Sequence, residues 1–448
     1  MKKIVIEGGH PLNGEVTLQG AKNAAQKILP ATLVFPGDYI LKNVPRIQDT
    51  HALIEILTFL GAQVCWLDEH VVKINTEHIV TKEIPPEVTA TSTGTFLFAG
   101  ALLSRCGAVK IWHPGGDRIG KRPVTWHLAA FEKLGASVIE EKSYYEVRAT
   151  RLVGNCTISF AKPTANGTVN ALIASVRAQG DTFIKNVAPE PEIQNCIAFL
   201  QQIGANIEWI GEHQIRVKGV ERGSGSGEID IIPDRNDAAT FLIAAALGHG
   251  PVTLHPVCQD HLRPLLTVLK DVGVRVESCF HHGEQAFTVQ CDEFRATNIE
   301  IMSRPYPGFS TDWGPMVQAL LTQVPGTSLF HETIFSQRFA HIPEFINMGA
   351  EIHHRDIPDD DSIYNFVRTP GLFHAVQIQG PSKLYGTVVH ANDVRAGAAL
   401  VLAGLVAAGK TELTGVEQIE RGYEAFTERL TLLGASIKQS ENSLGHDC

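Results

Sequence analysis

The chain has 448 residues, of which 44% are hydrophobic and 19% charged, and its formal net charge is −10 at pH 7. These values are typical of a globular protein large enough for two domains, and the acidic balance argues against a nucleic-acid-binding surface. The eight cysteines have no C-x-x-C spacing, which argues against a zinc site or a disulfide framework and favours a reducing cytoplasm. No apolar run has the length of a signal peptide or a membrane span, so we expect a cytoplasmic protein that does not bind membranes.

A helix-like apolar pattern ends six times in a turn that contains glycine and continues as a strand-like alternation. The six turn glycines are separated by 74, 69, 69, 76 and 85 residues; they are Gly61, Gly135, Gly204, Gly273, Gly349 and Gly434. A period of about seventy residues is too long for a solenoid and fits a unit of strands with two helices. Each glycine is predicted to end a helix in the left-handed conformation. Six such repeats divide most simply into two domains of three.

A second helix is predicted in every repeat, where a polar start precedes an alanine-rich run with little polar face. The six runs begin near Lys22, Thr93, Asn166, Asn236, Thr311 and Asp393. We expect these helices to be buried inside each domain. Their Asn, Asp and Thr residues are predicted to cap the first N–H groups, which gives Asp312 a structural interpretation as a helix cap.

Basic residues recur at corresponding helix starts. Arg122, Arg338 and Arg421 stand at the predicted start of the helix before a repeat glycine, and Lys22 and Arg395 begin two of the buried helices. Helix N-termini attract anions, and the guanidinium fork suits phosphate and carboxylate. Any single arginine could instead pair with a neighbouring carboxylate, but the five cations together predict a site for a ligand with several negative charges.

Eight motifs follow one another along the chain: residues 20–25 (GAKNAA), 114–124 (PGGDRIGKRPV), 190–193 (EPEI), 233–235 (PDR), 311–312 (TD), 332–339 (ETIFSQRF), 393–395 (DVR) and 421–423 (RGY). Together they resemble the UDP-N-acetylglucosamine 1-carboxyvinyltransferase family of the enolpyruvyl transferase superfamily. The resemblance implies an α/β fold of two inside-out α/β barrels, each of three βαβαββ repeats. It places the first barrel at 22–232, with a catalytic loop at 114–123, and the second at 1–21 with 233–448. The active site would lie in the cleft between the two domains.

The resemblance also implies a reaction. The enolpyruvyl group of phosphoenolpyruvate would move to the 3-hydroxyl of UDP-N-acetylglucosamine by addition and elimination, with release of phosphate, as the first committed step of peptidoglycan synthesis. These two small molecules would be the partners, and no metal or organic cofactor is expected. The implied catalytic residues are Asp117, Asp312, Lys22 and Arg395. The implied substrate-binding residues are Lys22, Asn23, Arg122, Pro123, Val124, Thr164, Asp312, Arg338, Arg395 and Arg421.

Individual roles also come from the resemblance. Lys22, Arg122 and Arg421 would hold the phosphate and carboxylate of phosphoenolpyruvate, and Arg395 would extend that surface. Arg338 would face the diphosphate of the acceptor. Asp312 would be the base near the sugar hydroxyl, and Asn23 would hydrogen-bond the acceptor.

The chain departs from the family pattern at four places. Asp117 stands where many members have a cysteine that fosfomycin modifies, so we predict activity without covalent inactivation by fosfomycin. An arginine is missing near Thr93, Thr125 replaces an aspartate, and the loop at 163–167 differs from the usual uridine-binding sequence.

These departures leave two other interpretations open. One is a paralogous enolpyruvyl transferase with a different nucleotide or sugar-nucleotide acceptor. The other is a binding or regulatory homologue without turnover.

The pairs His281-His282 and His353-His354 lack the spacing of a catalytic metal site, so these histidines are predicted to be solvated or locally hydrogen-bonded.

Overall fold

The computed structural model describes residues 2–90, 92–116, 119–120, 124–357, 361–369 and 371–441. They form two compact units. The described residues within 20–116 and 124–232 form one, here called the central unit, and those within 2–19, 119–120 and 233–441 form the other, the split unit. Each unit has its own hydrophobic core.

Short strands alternate with helices along the whole described chain. The strands are β1 (Lys2–Glu7), β2 (Gly14–Thr17), β3 (Asp38–Lys42), β4 (Gln63–Asp68), β5 (Val71–Asn75), β6 (Glu83–Ile84), β7 (Ala108–Trp112), β8 (Ser137–Glu140), β9 (Tyr144–Arg148), β10 (Cys156–Ser159), β11 (Asp181–Lys185), β12 (Asn206–Gly211), β13 (Gln214–Lys218), β14 (Ser226–Asp230), β15 (Val252–His255), β16 (Arg275–His281), β17 (Glu284–Gln290), β18 (Glu300–Met302), β19 (Gly326–His331), β20 (Glu351–Arg355), β21 (Ala375–Gly380), β22 (Val388–His390), β23 (Lys410–Thr414) and β24 (Ser436–Glu441).

The helices are α1 (Lys22–Ala31), α2 (Gln48–Phe59), α3 (Pro86–Thr89), α4 (Leu97–Cys106), α5 (Thr125–Lys133), α6 (Ala165–Ser175), α7 (Pro191–Gln202), α8 (Arg235–Gly248), α9 (Arg263–Asp271), α10 (Gly314–Leu321), α11 (Ile342–Asn347), α12 (Val394–Val406), α13 (Val416–Glu420) and α14 (Phe426–Leu432). Short 3-10 turns lie at Thr93–Phe96, Gln259–His261, Thr311–Trp313 and Asp361–Ile363. No helix among the described residues combines the length and apolar character needed to cross a membrane.

The described strands form six sheets of four strands, three sheets in each unit. Every sheet has one parallel pair at an edge, followed by two antiparallel pairings. The orders are β14-β3-β5-β4, β6-β7-β9-β8 and β10-β11-β13-β12 in the central unit, and β16-β17-β15-β2, β18-β19-β21-β20 and β22-β23-β1-β24 in the split unit. This shared order confirms the predicted sixfold repeat.

Strands distant in sequence complete three of these sheets. β2 pairs in parallel with β15 in the split unit, and β14 pairs in parallel with β3 in the central unit. β1 lies between β23 and β24. The chain passes from the split to the central unit at Gly20. A Cβ atom there would lie 1.7 Å from the carbonyl oxygen of Asn43, so only glycine fits this close approach.

Three almost completely buried helices form the interior of each unit. They are α1, α4 and α6 in the central unit and α8, α10 and α12 in the split unit, and within each set the helices pack against one another. Five of these helices are mainly apolar, which favours burial on all sides, whereas α1 carries Lys22, Asn23, Gln26 and Lys27 and has a polar side. The prediction of six buried helices is confirmed, with α4 and α10 entered through a 3-10 turn.

The predicted helix ends are also confirmed. All six repeat glycines have positive φ, between 87° and 108°, where a side chain would be strained. At the starts, Asp234 caps α8, Asp393 caps α12 and Thr164 caps α6 through side-chain oxygens.

Candidate functional site

A cluster of charged side chains lies at the starts of the buried helices in the split unit. Asp312 lies in the 3-10 turn that leads into α10, and Arg395 is the second residue of α12. The Asp312 carboxylate contacts two guanidinium groups, with Oδ1 3.1 Å from Arg338 Nη2 and Oδ2 3.5 Å from Arg395 Nε. Both arginines are buried, whereas the Asp312 side chain is 25% exposed. Asp312 is therefore the member of this cluster that is open to a ligand.

The guanidinium of Arg338 is held from several directions. Nη1 lies 3.6 Å from Oδ1 of Asp393, which also caps α12, and Nε donates to the carbonyl of Thr311 at 3.4 Å. A guanidinium with this many partners is fixed in orientation. Arg338 therefore connects the turn before α10 to the start of α12.

A fully buried carboxylate, Glu332, supports this arrangement from the end of β19. It accepts hydrogen bonds from Thr311 Oγ1 at 2.8 Å and from the backbone N–H groups of Ile334 and Phe335 at 2.7 and 3.0 Å. Burial raises the pKa of Glu332, although Arg338 and the hydrogen bonds act in the opposite direction. Glu332 thus fixes both the turn before Asp312 and the segment that leads to Arg338.

Arg395 keeps unused hydrogen-bonding capacity inside the cluster. Its Nη1 is buried and has no hydrogen-bond partner among the described residues, and the same is true of Oδ1 of Asn236, whose Nδ2 donates to Asp312 Oδ2 at 3.4 Å. Burial lowers the pKa of Arg395, but the Tyr423 hydroxyl and the Asp312 carboxylate raise it by more, so the guanidinium stays charged. Buried polar atoms without partners are uncommon and indicate a place for a polar ligand.

The central unit carries its own charged group at the start of α1. Lys22 is the first residue of the helix, and its Nζ lies 2.8 Å from Oδ2 of Asp49, with both side chains almost fully buried. Gln26 donates to the same carboxylate oxygen at 3.2 Å. The half-buried Asn23 accepts a hydrogen bond from Lys27 Nζ through its backbone carbonyl at 2.7 Å. Lys22 is thus a buried cation whose charge one aspartate offsets.

Two further predicted residues lie at helix starts of the central unit. Thr164 caps α6, and the carbonyl of Val124 accepts the N–H groups of His127 and Leu128 in α5. Asp117, Arg122 and Pro123 lie outside the described residues.

The structure describes residues 114–116 and 119–120 of the predicted catalytic loop. Ile119 accepts a hydrogen bond from the N–H of Gln337 at 3.0 Å, and a Cβ atom on Gly120 would lie 2.6 Å from Ser336 Oγ. Both contacts are with the segment just before Arg338, so this part of the loop belongs to the split unit.

Three structural expectations are wrong. Arg338 lies in a turn four residues before α11 begins, and Arg421 follows the end of α13, where its Nη1 donates to Gln418 at 3.0 Å. The prediction assumes that the helices before the repeat glycines are equal in length. However, α11 and α14 have six and seven residues, whereas α2 and α7 have twelve. Asp312 is not the helix cap, because Ser310 accepts the Asp312 N–H. Lys22 and Arg395 do lie at helix starts as predicted.

The structure brings together Asp312, Arg338 and Arg395, and it places Lys22 with Asp49. Asp49 was not among the predicted site residues, although its position in the first turn of α2, directly after Gln48 at a repeat helix start, is a signal that could have identified it. Glu332 stands inside a quoted motif and Asn236 begins one of the predicted buried helices, but their side-chain contacts are not visible in the sequence.

Comparisons with known proteins identify the family. Residues 6–430 match the protein family described as EPSP synthase (3-phosphoshikimate 1-carboxyvinyltransferase). The chain is 40% identical over 439 residues to UDP-N-acetylglucosamine 1-carboxyvinyltransferase 2 of Carboxydothermus hydrogenoformans, covering 98% of this chain and 99% of the relative. It is 39% identical over 443 residues to UDP-N-acetylglucosamine 1-carboxyvinyltransferase of Thermus thermophilus, covering 98% and 97%.

Solved structures share the fold at lower identity. The enolpyruvyl transferase NikO from Streptomyces tendae superposes with a TM-score of 0.85 at 22% identity, covering 98% of this chain and 99% of that one. EPSP synthase from Acinetobacter baumannii gives a TM-score of 0.72 at 16% identity, covering 98% and 100%. The family match and the relatives of equal length show that the chain belongs to the EPSP synthase family of enolpyruvyl transferases, and within it to the UDP-N-acetylglucosamine 1-carboxyvinyltransferases.

Proposed function

We propose that this protein transfers the enolpyruvyl group of phosphoenolpyruvate to the 3-hydroxyl of UDP-N-acetylglucosamine and releases phosphate, in the first committed step of peptidoglycan synthesis. The names of the relatives, at 36–40% identity over nearly the whole chain, support the acceptor. The observation that carries the proposal is the contact of Asp312 with Arg338 and Arg395, which combines a partly exposed carboxylate with two buried cations.

The reaction needs a base, a proton donor and positive charge. C3 of phosphoenolpyruvate gains a proton while the sugar oxygen bonds to C2, and the resulting tetrahedral ketal loses a C3 proton and phosphate. Asp312 is the proposed base, because it is the exposed carboxylate of the cluster and accepts the hydroxyl proton in its ionised form. Asp117 is the proposed proton donor from its sequence position alone.

The buried cations offset the negative charge of the substrates. Phosphoenolpyruvate brings a phosphate and a carboxylate, and the unpartnered Nη1 of Arg395 offers a donor that no described residue uses. Lys22, Arg122 and Arg421 are proposed to share this role, and Arg338 to face the diphosphate of the acceptor. Fixed cations stabilise developing charge without reorganising during the reaction.

Residues of the central unit are proposed to bind the acceptor substrate. They are Asn23, Pro123, Val124 and Thr164. Thr164 already caps α6, and the carbonyl of Val124 already accepts two N–H groups of α5, so both are held in place by helix starts. We propose that groups of both units serve the one reaction.

The test is phosphate release from phosphoenolpyruvate with and without UDP-N-acetylglucosamine. Asp312→Asn is the active-site variant, and Asp292→Asn, which changes an exposed aspartate 3.8 Å from Arg275 in the same unit, is the matched control. Release that requires the sugar nucleotide, persists in the control and is lost in Asp312→Asn supports the proposal. Release with a different sugar nucleotide would instead establish another acceptor, and binding without any release would establish a homologue without turnover.

A further inference from the structure

Three side chains with metal-binding atoms meet in the split unit, outside the residues assigned to the reaction. Glu15 is on β2, His255 ends β15 and His281 ends β16. Each offers one ligand atom, and these atoms all lie within 4.8 Å of one another. His281 Nε2 lies 3.1 Å from Glu15 Oε2. The three strands belong to one sheet, β16-β17-β15-β2.

The three side chains do not satisfy all of one another's hydrogen-bonding atoms. His281 Nε2 is close to Glu15, yet it is buried and has no hydrogen bond of acceptable geometry among the described residues. The His255 and His281 rings lie 4.4 Å apart at an angle of 45°, so neither stacks flat on the other. A third ring, that of His282, lies 4.1 Å from His281. His281 Nε2 is therefore a buried ligand atom that no described hydrogen bond uses.

The cluster combines a buried side with an open side. His255 is buried, His281 is partly exposed and Glu15 is exposed, so the cluster has an inner ligand and an open outer side. An ion could enter from solvent, and the Glu15 carboxylate would partly neutralise its charge.

We propose that Glu15, His255 and His281 bind a divalent transition-metal ion, with Zn²⁺ as the best fit to this ligand set. Two imidazoles and one carboxylate are ligands that zinc accepts, and three protein ligands leave a fourth position for water. Ligand atoms around a tetrahedral zinc ion stand about 3.3 Å apart, given bonds of 2.0–2.1 Å. The ligand atoms lie within 4.8 Å of one another, and the pair Glu15 Oε2 and His281 Nε2, at 3.1 Å, is already close to this value.

The ion would join parts of the chain that are far apart in sequence. β2 immediately precedes Gly20, where the chain passes to the central unit, and β15 and β16 come more than two hundred residues later. A metal bound to the folded state alone stabilises it by mass action. The expected consequence is a more stable split unit.

The test is calorimetric titration of the chelator-treated full-length protein with Zn²⁺. The variants are Glu15→Gln and His281→Gln, because neither side chain is fully buried. The matched control is His353→Gln, which changes an exposed histidine that also lies near a glutamate, 3.9 Å from Glu351. Thermal unfolding with and without Zn²⁺ is a second readout that does not depend on catalysis.

We expect one Zn²⁺ per chain in the wild type and the control, at least tenfold weaker binding in both cluster variants, and a rise in Tm with Zn²⁺ that these variants lose. Free cysteines can also bind zinc. The conclusion therefore rests on the difference in Zn²⁺ affinity and stoichiometry between His281→Gln and the wild type. Equal stoichiometry and affinity in these two proteins, or no binding in the wild type, would overturn the proposal. Phosphate release by the chelator-treated protein tests the enzymatic proposal separately.

Discussion

The buried ion pair of Asp237 and Arg429 allows a quantitative prediction for the split unit. The pair is bidentate, with Nη1–Oδ2 at 2.6 Å and Nη2–Oδ1 at 3.0 Å, and the side chains are 1% and 13% exposed. Asp237 Oδ2 also accepts the N–H of Gln19 at 3.1 Å. Asp237→Asn keeps the shape but removes the charge and turns an N–H₂ group towards the guanidinium.

Breaking a buried pair on one side typically costs about 3–5 kcal/mol, because the remaining charge stays buried without compensation. For a unit of this size, that loss corresponds to a fall in Tm of roughly 6–20 °C. The matched control is Asp181→Asn, which removes a pair with Arg216 at 3.0 and 2.7 Å whose side chains are 29% and 39% exposed. An exposed pair of this kind contributes only about 0.2–1 kcal/mol.

The assay is differential scanning calorimetry of the three proteins, with urea unfolding followed by circular dichroism as a second measurement. The Gln19 side chain donates to the carbonyl of Gly422 and accepts from the N–H of Glu424, so the variant should also disturb the segment after Arg421. We therefore expect weaker phosphoenolpyruvate binding in Asp237→Asn than in Asp181→Asn. Equal destabilisation by the two substitutions, or a cost below about 1 kcal/mol for Asp237→Asn, would refute the argument from burial.

Four further predictions concern activity and pH. Asp312→Asn should lower phosphate release at least about 100-fold while phosphoenolpyruvate still binds by calorimetry; unchanged kcat would exclude Asp312 as the base. Glu332→Gln should lower kcat and Tm together, because an amide replaces one acceptor oxygen with a donor that faces N–H groups; unaltered kinetics would remove its positioning role. Burial lowers the pKa of His127 from 6.5 to about 4, so the neutral imidazole stabilises the central unit fully above pH 6.5. This stabilisation falls by up to about 3 kcal/mol as the pH decreases towards 4. In His127→Gln, the free energy of unfolding in urea should therefore depend less steeply on pH over this range. Because residue 117 is aspartate, turnover should survive incubation with fosfomycin, and an adduct found by mass spectrometry together with lost turnover would contradict this.

The repeat and its helices could be predicted from the sequence because they depend on local chemistry. An apolar run without a polar face must be buried, and a helix that ends in the left-handed conformation favours glycine, whatever lies elsewhere in the chain. All six repeat glycines and five of the six buried helices follow these rules. The motifs also identify the family, because they keep their order over nearly the whole chain.

The contacts that make a site depend on distant segments and needed the tertiary structure. The repeat pattern predicts Arg338 and Arg421 at helix starts, whereas the helices of the last two repeats are shorter and begin after these residues. The long-range pairings of β2 with β15 and of β14 with β3 have no local signal either.

The cluster of Glu15, His255 and His281 shows the same limit. No metal-ligand spacing exists in the sequence, because three strands of one sheet supply one ligand each. The sequence by itself determined the helices, the turns and the repeat, since their energies come from neighbours along the chain. Only the fold decided which charged groups share a buried space, since those energies depend on distances between residues hundreds of positions apart.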